Sequence, residues 1–317
     1  MDKSTFLDNS YTIAFYNLEN FFDTQDNPYS LDDDFTPKGM KKWTKKRYKR
    51  KREKLAKTIS MIGYEETEKP PVLIGVAEVE NSHVLESLLD DESLQEIDYG
   101  YVHFDSPDER GIDTGLIYHK KYFEVDFSES ITVMVNNDNG QRDLTRDILY
   151  VRGWLNGELV HLFVNHWPSR RDGVDLTSIK RQQAAETLLE KIHALNENGA
   201  NCIVMGDFND GPNSESIGVL MNSGYFINPM KNLLSYKSGS ANYKGKWSLF
   251  DQILISHTFL NHEPQTHSYK EANIFSPKFL KEWKGRYKGN PFRTFAGKKY
   301  LGGYSDHFPV YVMFRKN

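Results

Sequence analysis

Six polar clusters whose side chains could do chemistry stand at the ends of apolar runs. Asn17 follows Ile13-Ala14-Phe15-Tyr16, and Glu78 and Glu80 close Leu73-Ile74-Gly75-Val76-Ala77. Asn165-His166 closes Leu162-Phe163-Val164, and Asp207-Phe208-Asn209-Asp210 closes Ile203-Val204-Met205-Gly206. Asp251 opens Gln252-Ile253-Leu254-Ile255, and Ser305-Asp306-His307 precedes Phe308-Pro309-Val310. Such positions are where strands meet loops and functional side chains concentrate. If the strands share a pair of sheets, the clusters converge on one rim carrying carboxylates, amides and imidazoles together. Carboxylate and amide oxygens suit the hard cations Mg²⁺, Mn²⁺ and Ca²⁺. Two histidines without a cysteine do not resemble a zinc cage. Asp207 and Asn209 are two residues apart, so in an extended segment both point to the same side. One can act on a water while the other holds a substrate oxygen. Taken singly, each cluster has an ordinary reading: a strand-end Asp or Asn is more often a turn-former, and a lone His166 an ordinary partly buried histidine. Their joint occurrence favours chemistry.

The elements that must position these residues are mostly strands. Apolar runs at 11–16, 72–79, 99–104, 115–118, 148–155, 159–165, 201–205, 249–255 and 308–314 read as strands. Several are continuous rather than alternating, as strands covered on both faces are. Asn156-Gly157 between two of them signals a hairpin with a type I′ turn. Helices are expected over 41–62, closed by Gly63, over 175–198, followed by Gly199, and over 83–89. Nothing marks a domain boundary, so residues 1–317 read as a single α/β domain with two packed sheets.

Composition agrees with a folded enzyme-sized chain. The 317 residues are 38% hydrophobic, 13% aromatic and 26% charged, with a net charge of −4, which excludes disorder for the bulk. A single cysteine, Cys202, excludes an intramolecular disulfide framework and fits a reducing compartment. No apolar run approaches the roughly 18–20 residues of a membrane span. The start Met1-Asp2-Lys3-Ser4-Thr5 has the features of no signal peptide, so a cytoplasmic location is expected, a removed signal peptide being the alternative. The near-neutral total hides a segregation: residues 38–57 carry twelve Lys/Arg against Glu53, and 270–299 carry nine against Glu271 and Glu282. Two basic stretches on an acidic body suggest an anionic partner; the ordinary alternative is a solvated helix face.

These residues together resemble the endonuclease/exonuclease/phosphatase superfamily, metal-dependent phosphoesterases that include pancreatic deoxyribonuclease, apurinic endonucleases, inositol polyphosphate phosphatases and neutral sphingomyelinases. The matching segments are Tyr16-Asn17-Leu18-Glu19-Asn20, Ala77-Glu78-Val79-Glu80-Asn81, Val164-Asn165-His166-Trp167-Pro168, Gly206-Asp207-Phe208-Asn209-Asp210, Phe250-Asp251-Gln252-Ile253-Leu254 and Ser305-Asp306-His307. They occur in the family's order and span nearly the whole chain. The resemblance implies a four-layer α/β sandwich, two packed, mostly antiparallel β-sheets flanked by helices, with the site at one end. It implies Glu78 as the principal metal carboxylate, with Asn17 beside it and Asp306 as a further metal-side or acid–base carboxylate. It implies Asp207 as the residue that aligns or deprotonates the attacking water, and Asn209 as the holder of a phosphate oxygen. His307 would contact the scissile phosphate with Asp251 orienting its ring. His166 matches the second histidine of the deoxyribonuclease-like branch, where apurinic endonucleases have tyrosine. Metal and imidazolium would neutralise the phosphodiester charge that repels hydroxide, and an Asp–His pair keeps the imidazole protonated.

Further candidates flank this set. Arg170-Arg171 and Arg146 could grip neighbouring phosphates bidentately, and Arg110-Gly111-Ile112-Asp113 resembles a family segment near the cleft. The alternative is a solvated loop pair for Arg170-Arg171 and structural salt bridges for the Arg110 and Arg146 segments. Glu80 is expected to meet a loop hydrogen bond rather than the metal. Tyr243-Lys244-Gly245-Lys246-Trp247 offers an aromatic platform with cations, though core packing is the commoner role of such rings. The reading that follows is a divalent-metal phosphodiesterase or nuclease, with Mg²⁺ as cofactor (Mn²⁺ or Ca²⁺ as alternatives) and nucleic acid or nucleotides as substrate. A phosphomonoesterase or a lipid or inositol-phosphate phosphoesterase is the first alternative, and a non-catalytic polyanion-binding module the second. No stable membrane insertion and no obligate protein partner are expected, with a monomer as the default.

Overall fold

The computed structural model describes residues 9–137, 140–170, 173–195 and 199–317. Met1–Thr5, Arg171 and the last residues of the helix expected over 175–198 lie outside them. In chain order the main elements are β1 (Ser10–Phe21), α1 (Lys45–Met61), β2 (Leu73–Val79), α2 (Ser82–Leu89), β3 (Tyr99–His103) and β4 (Asp113–His119). Then come β5 (Phe123–Ile131), β6 (Ile148–Leu155), β7 (Glu158–His166), α3 (Val174–Ala194), β8 (Cys202–Asp207) and α4 (Glu215–Asn222). The chain ends with β9 (Phe226–Ile227), β10 (Asp251–Ser256), β11 (His267–Ile274) and β12 (Val310–Lys316).

Two six-stranded sheets form, in the orders β11-β12-β1-β2-β4-β3 and β9-β10-β8-β7-β6-β5. In each, one central pair is parallel, β1 with β2 and β7 with β8, and the other pairings are antiparallel. A parallel pair needs a crossover; α1 supplies it in the first sheet and α3 in the second. Ile13, Phe15, Leu73, Leu162, Val164, Ile203, Met205, Ile253 and Val312 pack between the sheets. Ile74, Val76 and Tyr311 pack outward under Leu55, Ile59 and Leu85 of α1 and α2. Phe163, Val204 and Leu254 pack outward under Ala184, Leu188, Ile217 and Leu220 of α3 and α4. The result is the expected four layers, helix–sheet–sheet–helix, with both faces of the central strands buried. Each fully buried Phe, Leu or Met side chain contributes about 1.5–3 kcal/mol to holding them together.

Local sequence explains most boundaries. Asn156 and Gly157 both adopt positive φ, 47° and 87°, which is the type I′ geometry that joins β6 to β7. Helix α1 starts four residues later than the basic run suggests, because Thr44 caps it by accepting from Arg47 N. Asn81 caps α2 in the same way, accepting from Val84 N at 3.0 Å. Strands β5 and β11 carry no strong apolar run: their sequences FEVDFSESI and HSYKEANI are polar because each lies at a sheet edge, half in water. No helix among the described residues is long and apolar enough to cross a membrane.

Candidate active site

The strand alternation that fills the core also aims the polar clusters. On β1 the inward positions are Ile13 and Phe15, and Asn17 is the next one. On β7 they are Leu162 and Val164, followed by His166; on β8 they are Ile203 and Met205, followed by Asp207. On β10 the order is reversed: Asp251 precedes Ile253 and Ile255, because β10 runs antiparallel to β8 and Asp251 lies opposite Asp207. His166 lies opposite Asp207 on the other side. Four strands therefore end their apolar inner rows with a polar residue at one rim. Gly206 permits the closest approach there: a Cβ at that position would lie 2.4 Å from Asn165 O.

Glu78 reaches the rim differently. By parity it would point outward with Ile74 and Val76, but β2 carries a register shift between Ala77 and Val79, and Glu78 adopts φ +62°. This β-bulge re-aims the side chain toward Asn17. Glu19 and Asn20, both at φ +51°, and Asn209, at +49°, are also left-handed. Such conformations cost on the order of 1–3 kcal/mol each and persist where the surroundings over-determine them. Here the restraints are visible: Asn20 N donates to Glu78 Oε2 at 2.7 Å, Glu19 N to Asn17 Oδ1 at 2.9 Å, and Asn209 N to Asp207 Oδ1 at 2.9 Å.

Asp207 is the hub. Its Oδ2 accepts from Asn17 Nδ2 at 3.0 Å and lies 3.9 Å from His307 Nε2 and 4.0 Å from His166 Nε2. Asn17 Nδ2 also lies 3.5 Å from Glu78 Oε1, and His166 Nε2 lies 3.9 Å from that same oxygen. His307 Nδ1 is 2.6 Å from Asp251 Oδ2, and Asp251 is fully buried. Burial pushes the Asp207 carboxyl up to about 6; the His307 charge opposes this and the Asp251 charge adds to it. Burial works against charge on His307, but the carboxylates of Asp251, Asp207 and Asp306 outweigh it and hold the imidazolium well above its usual range. At neutral pH the rim thus holds a carboxylate able to accept a proton beside an imidazolium able to donate one, the separation that acid–base chemistry needs.

Asp306 precedes His307 in the chain; burial would raise its pKa, but His307, Arg293 and Lys51 hold it below the usual carboxylate range. Arg293 Nη2 donates to Asp306 Oδ2 at 2.7 Å. Glu19, buried, accepts from Thr294 N at 2.6 Å and Phe295 N at 3.2 Å, and burial together with Asp306 pushes it up to about 7 against Lys51 and Arg293. Lys51 Nζ donates to Glu19 O and Thr294 Oγ1, both at 2.6 Å. Neither Glu19, Lys51 nor Arg293 was singled out by residue type and spacing; they join through contacts between segments more than 240 residues apart.

The flanking arginines are held by the scaffold. Arg146 donates to Asp108 Oδ2 at 2.9 Å, His166 O at 3.3 Å and Trp167 O at 2.8 Å, which fixes the backbone after β7. Arg170 donates to Asn209 O at 2.7 Å and to Asp210, and lies over the Phe250 ring. Asn209 Nδ2 donates to Trp167 O at 2.9 Å. Arg110 lies at the cleft, donating to Asn20 Oδ1 at 2.7 Å with Glu78 Oε2 3.9 Å away. Glu80 meets a loop amide, Asp23 N, at 2.6 Å. The basic helix is also partly internal: besides Lys51, Arg47 donates to Lys41 O and Lys42 O, Arg52 to Asp91, and Lys54 to Gly302 O. Lys45, Lys46, Lys49, Arg50 and Lys57 stay exposed.

The donor set fits a hard divalent cation. Asp207, Asp251 and His307 offer atoms within 4.8 Å of one another, with Glu78 and Asn17 adjoining through the amide contacts above. Four carboxylates, Glu78, Asp207, Asp251 and Asp306, gather where oxygen donors dominate.

A rim of this make-up on a two-sheet sandwich is a candidate phosphoesterase site. Residues 12–316 match the family model described as Endonuclease/Exonuclease/phosphatase family, and the chain belongs to that family, whose members are metal-dependent phosphoester hydrolases. No curated protein sequence matches it. Among solved structures, it is similar to D. rerio TDP2 complexed with a single-strand DNA product, with TM-score 0.61 and 14% identity over 97% of this chain and 99% of that one. A mannosyl-6-phosphatase of Bacteroides thetaiotaomicron gives 0.57 and 16% over 96% and 99%. The human Nocturnin catalytic domain with bound sulfate gives 0.59 and 14% over 98% and 94%. At these identities the likeness is one of fold.

Proposed function

We propose that this protein is a divalent-metal-dependent phosphodiesterase acting on nucleic acid or nucleotides, with Mg²⁺ as the preferred ion. The observation that carries the reading is the buried Asp207 carboxylate, within reach of two imidazoles and joined to Glu78 by the Asn17 amide. Glu78, with Asn17 and Asp306, would hold the cation, which when bound supplies positive charge to the phosphate oxygens and the leaving oxygen. Asp207 accepts the proton of the attacking water and keeps it in line. His307, held by Asp251, presents Nε2 to the phosphate as a cationic donor, and His166 offers Nε2 from the end of β7. Asn209 binds a further phosphate oxygen, while Arg170 and Arg146 hold the loops that carry Asn209 and His166. The single-strand DNA product in the TDP2 complex supports nucleic acid as the substrate class.

A panel of phosphoesters tests this reading: single- and double-stranded oligonucleotides, a dinucleotide and hexose 6-phosphates, each with Mg²⁺ and with EDTA. Metal-dependent cleavage of internucleotide diesters is expected. Turnover confined to monoesters would move the assignment to a phosphatase, as the Bacteroides thetaiotaomicron neighbour is.

A further inference from the structure

Beside His307 the chain builds a surface that the catalytic rim does not use. A hairpin, Ala241–Tyr243 paired with Lys246–Ser248, is bridged to the His307 backbone at Ala241, and Phe308 N donates to Ser240 O at 2.7 Å. One face of this hairpin is anchored: Trp247 stacks on Phe308 with centroids 6.0 Å apart and an interplanar angle of 23°. Tyr243 belongs to the opposite face by strand alternation and is 71% exposed. It lies two residues beyond the bridged Ala241, about 7 Å along the strand.

A second segment, 281–291, lies against the hairpin through Asn290 Nδ2, which donates to Asn242 Oδ1 at 3.1 Å. It presents Trp283 and Tyr287, 68% and 55% exposed. Each open ring has a cation beside it: Lys244 Nζ is 5.1 Å from the Tyr243 centroid, Lys284 Nζ 4.1 Å from Trp283, and the Arg286 guanidinium 5.8 Å from Tyr287. Across the two segments six Lys/Arg face the single acid Glu282.

Large rings left in water on two segments joined at Asn242 and Asn290 contribute little to the core, and with a cation beside each they offer a binding surface. Rings interleaved with cations are the chemistry of stacking bases while neutralising the phosphates between them. A duplex keeps its base faces inside the helix, so only unpaired bases reach such rings. A hexose monophosphate brings one phosphate, which the rim would take, leaving six cations unopposed. Resting on the phosphodiesterase reading above, we propose that Tyr243, Trp283 and Tyr287 form a stacking platform for the unpaired bases of a single-stranded nucleic acid whose scissile phosphate lies at His307.

The test separates binding from catalysis. A fluorescein-labelled single-stranded oligonucleotide is titrated with the full chain in EDTA and followed by anisotropy. Trp283→Ala and Tyr243→Ala should each weaken binding about 5- to 100-fold, and Trp283→Phe and Tyr243→Phe, which keep a ring, should recover most of it. With Mg²⁺, the ratio of kcat/KM for the oligonucleotide to that for bis(4-nitrophenyl) phosphate should fall at least five-fold in the alanine variants. Alanine variants that bind the oligonucleotide as the unsubstituted protein does would overturn the platform, as would a loss confined to hexose phosphates. Ring-dependent binding without any phosphoester turnover would uphold the platform and remove the hydrolase reading. Metal-dependent hydrolysis with ring-independent binding would remove the platform alone.

Discussion

Asn17 Nδ2 donates to Asp207 Oδ2 at 3.0 Å across 190 residues of sequence, joining the rim of one sheet to that of the other. The bond favours the ionised carboxylate and so works against the burial that pushes Asp207 up to about 6. Because Asp207 must be ionised to accept a proton, activity should fall below about pH 6, tenfold per unit. Asn17→Ala removes the bond, so the acid limb of kcat/KM should move to higher pH and the plateau rate drop by roughly 10- to 100-fold. Rising metal concentration should move the limb the other way in both proteins. A pH–rate profile at two metal concentrations checks all three.

The His307–Asp251 pair sets the alkaline limb. His307 carries its proton to higher pH because Asp251, Asp207 and Asp306 overcome the burial that opposes the charge. Asp251→Asn keeps the shape of the contact and removes its charge. The alkaline limb should then move down, with kcat lower by roughly 10²–10⁴. An unshifted limb would detach His307 from the rate.

Glu80 links structure to pH away from the chemistry. Burial pushes its carboxyl up to about 8, opposed by the bond from Asp23 N and supported by the Asp23 and Asp32 charges. A carboxyl raised in the folded state holds its proton there more tightly than in the unfolded chain. Its contribution to stability is therefore full below the usual carboxylate range and lost as pH rises toward 8. Glu80→Gln, which preserves the acceptor for Asp23 N, should flatten that decline and gain roughly 1–3 kcal/mol at pH 8.5 relative to pH 5. Urea denaturation at the two pH values measures it.

Asp210 supports the Asn209 turn from beneath. It accepts from Arg181 Nε at 2.7 Å and Ser216 Oγ at 2.6 Å, and Arg181 is 1% exposed. Arg181→Met leaves that carboxylate with a poorer set of partners in a buried place and should cost about 3 kcal/mol, read as a lower urea midpoint. Activity on small diesters should fall with it, since Asn209 and Arg170 share the same turn.

How far residue order alone exposes this site depends on the kind of contact. Asn17, His166, Asp207 and Asp251 continue or begin inward rows of apolar strands, so the run and its polar end are both visible locally. Glu78 breaks that parity, and only the bulge at φ +62° explains its reach. Strands β5 and β11 lack apolar runs because they are edges, and α4 covers only eight residues, too few for a firm period. The basic run 38–57 suggested phosphate contacts; Lys51 and Lys54 instead bind loop groups at Thr294 and Gly302, partners that sequence proximity cannot reveal.

The central claim, that this rim is a metal-dependent phosphoesterase centre, is tested most directly by hydrolysis of bis(4-nitrophenyl) phosphate during a Mg²⁺ titration. The comparison is the unsubstituted protein against Asp207→Asn and Glu78→Gln. Expected is turnover that rises with Mg²⁺, vanishes in EDTA, and falls by at least 10³ in Asp207→Asn, with Glu78→Gln requiring far more metal. EDTA-resistant turnover, or variants as active as the unsubstituted protein at every Mg²⁺ concentration, would contradict it.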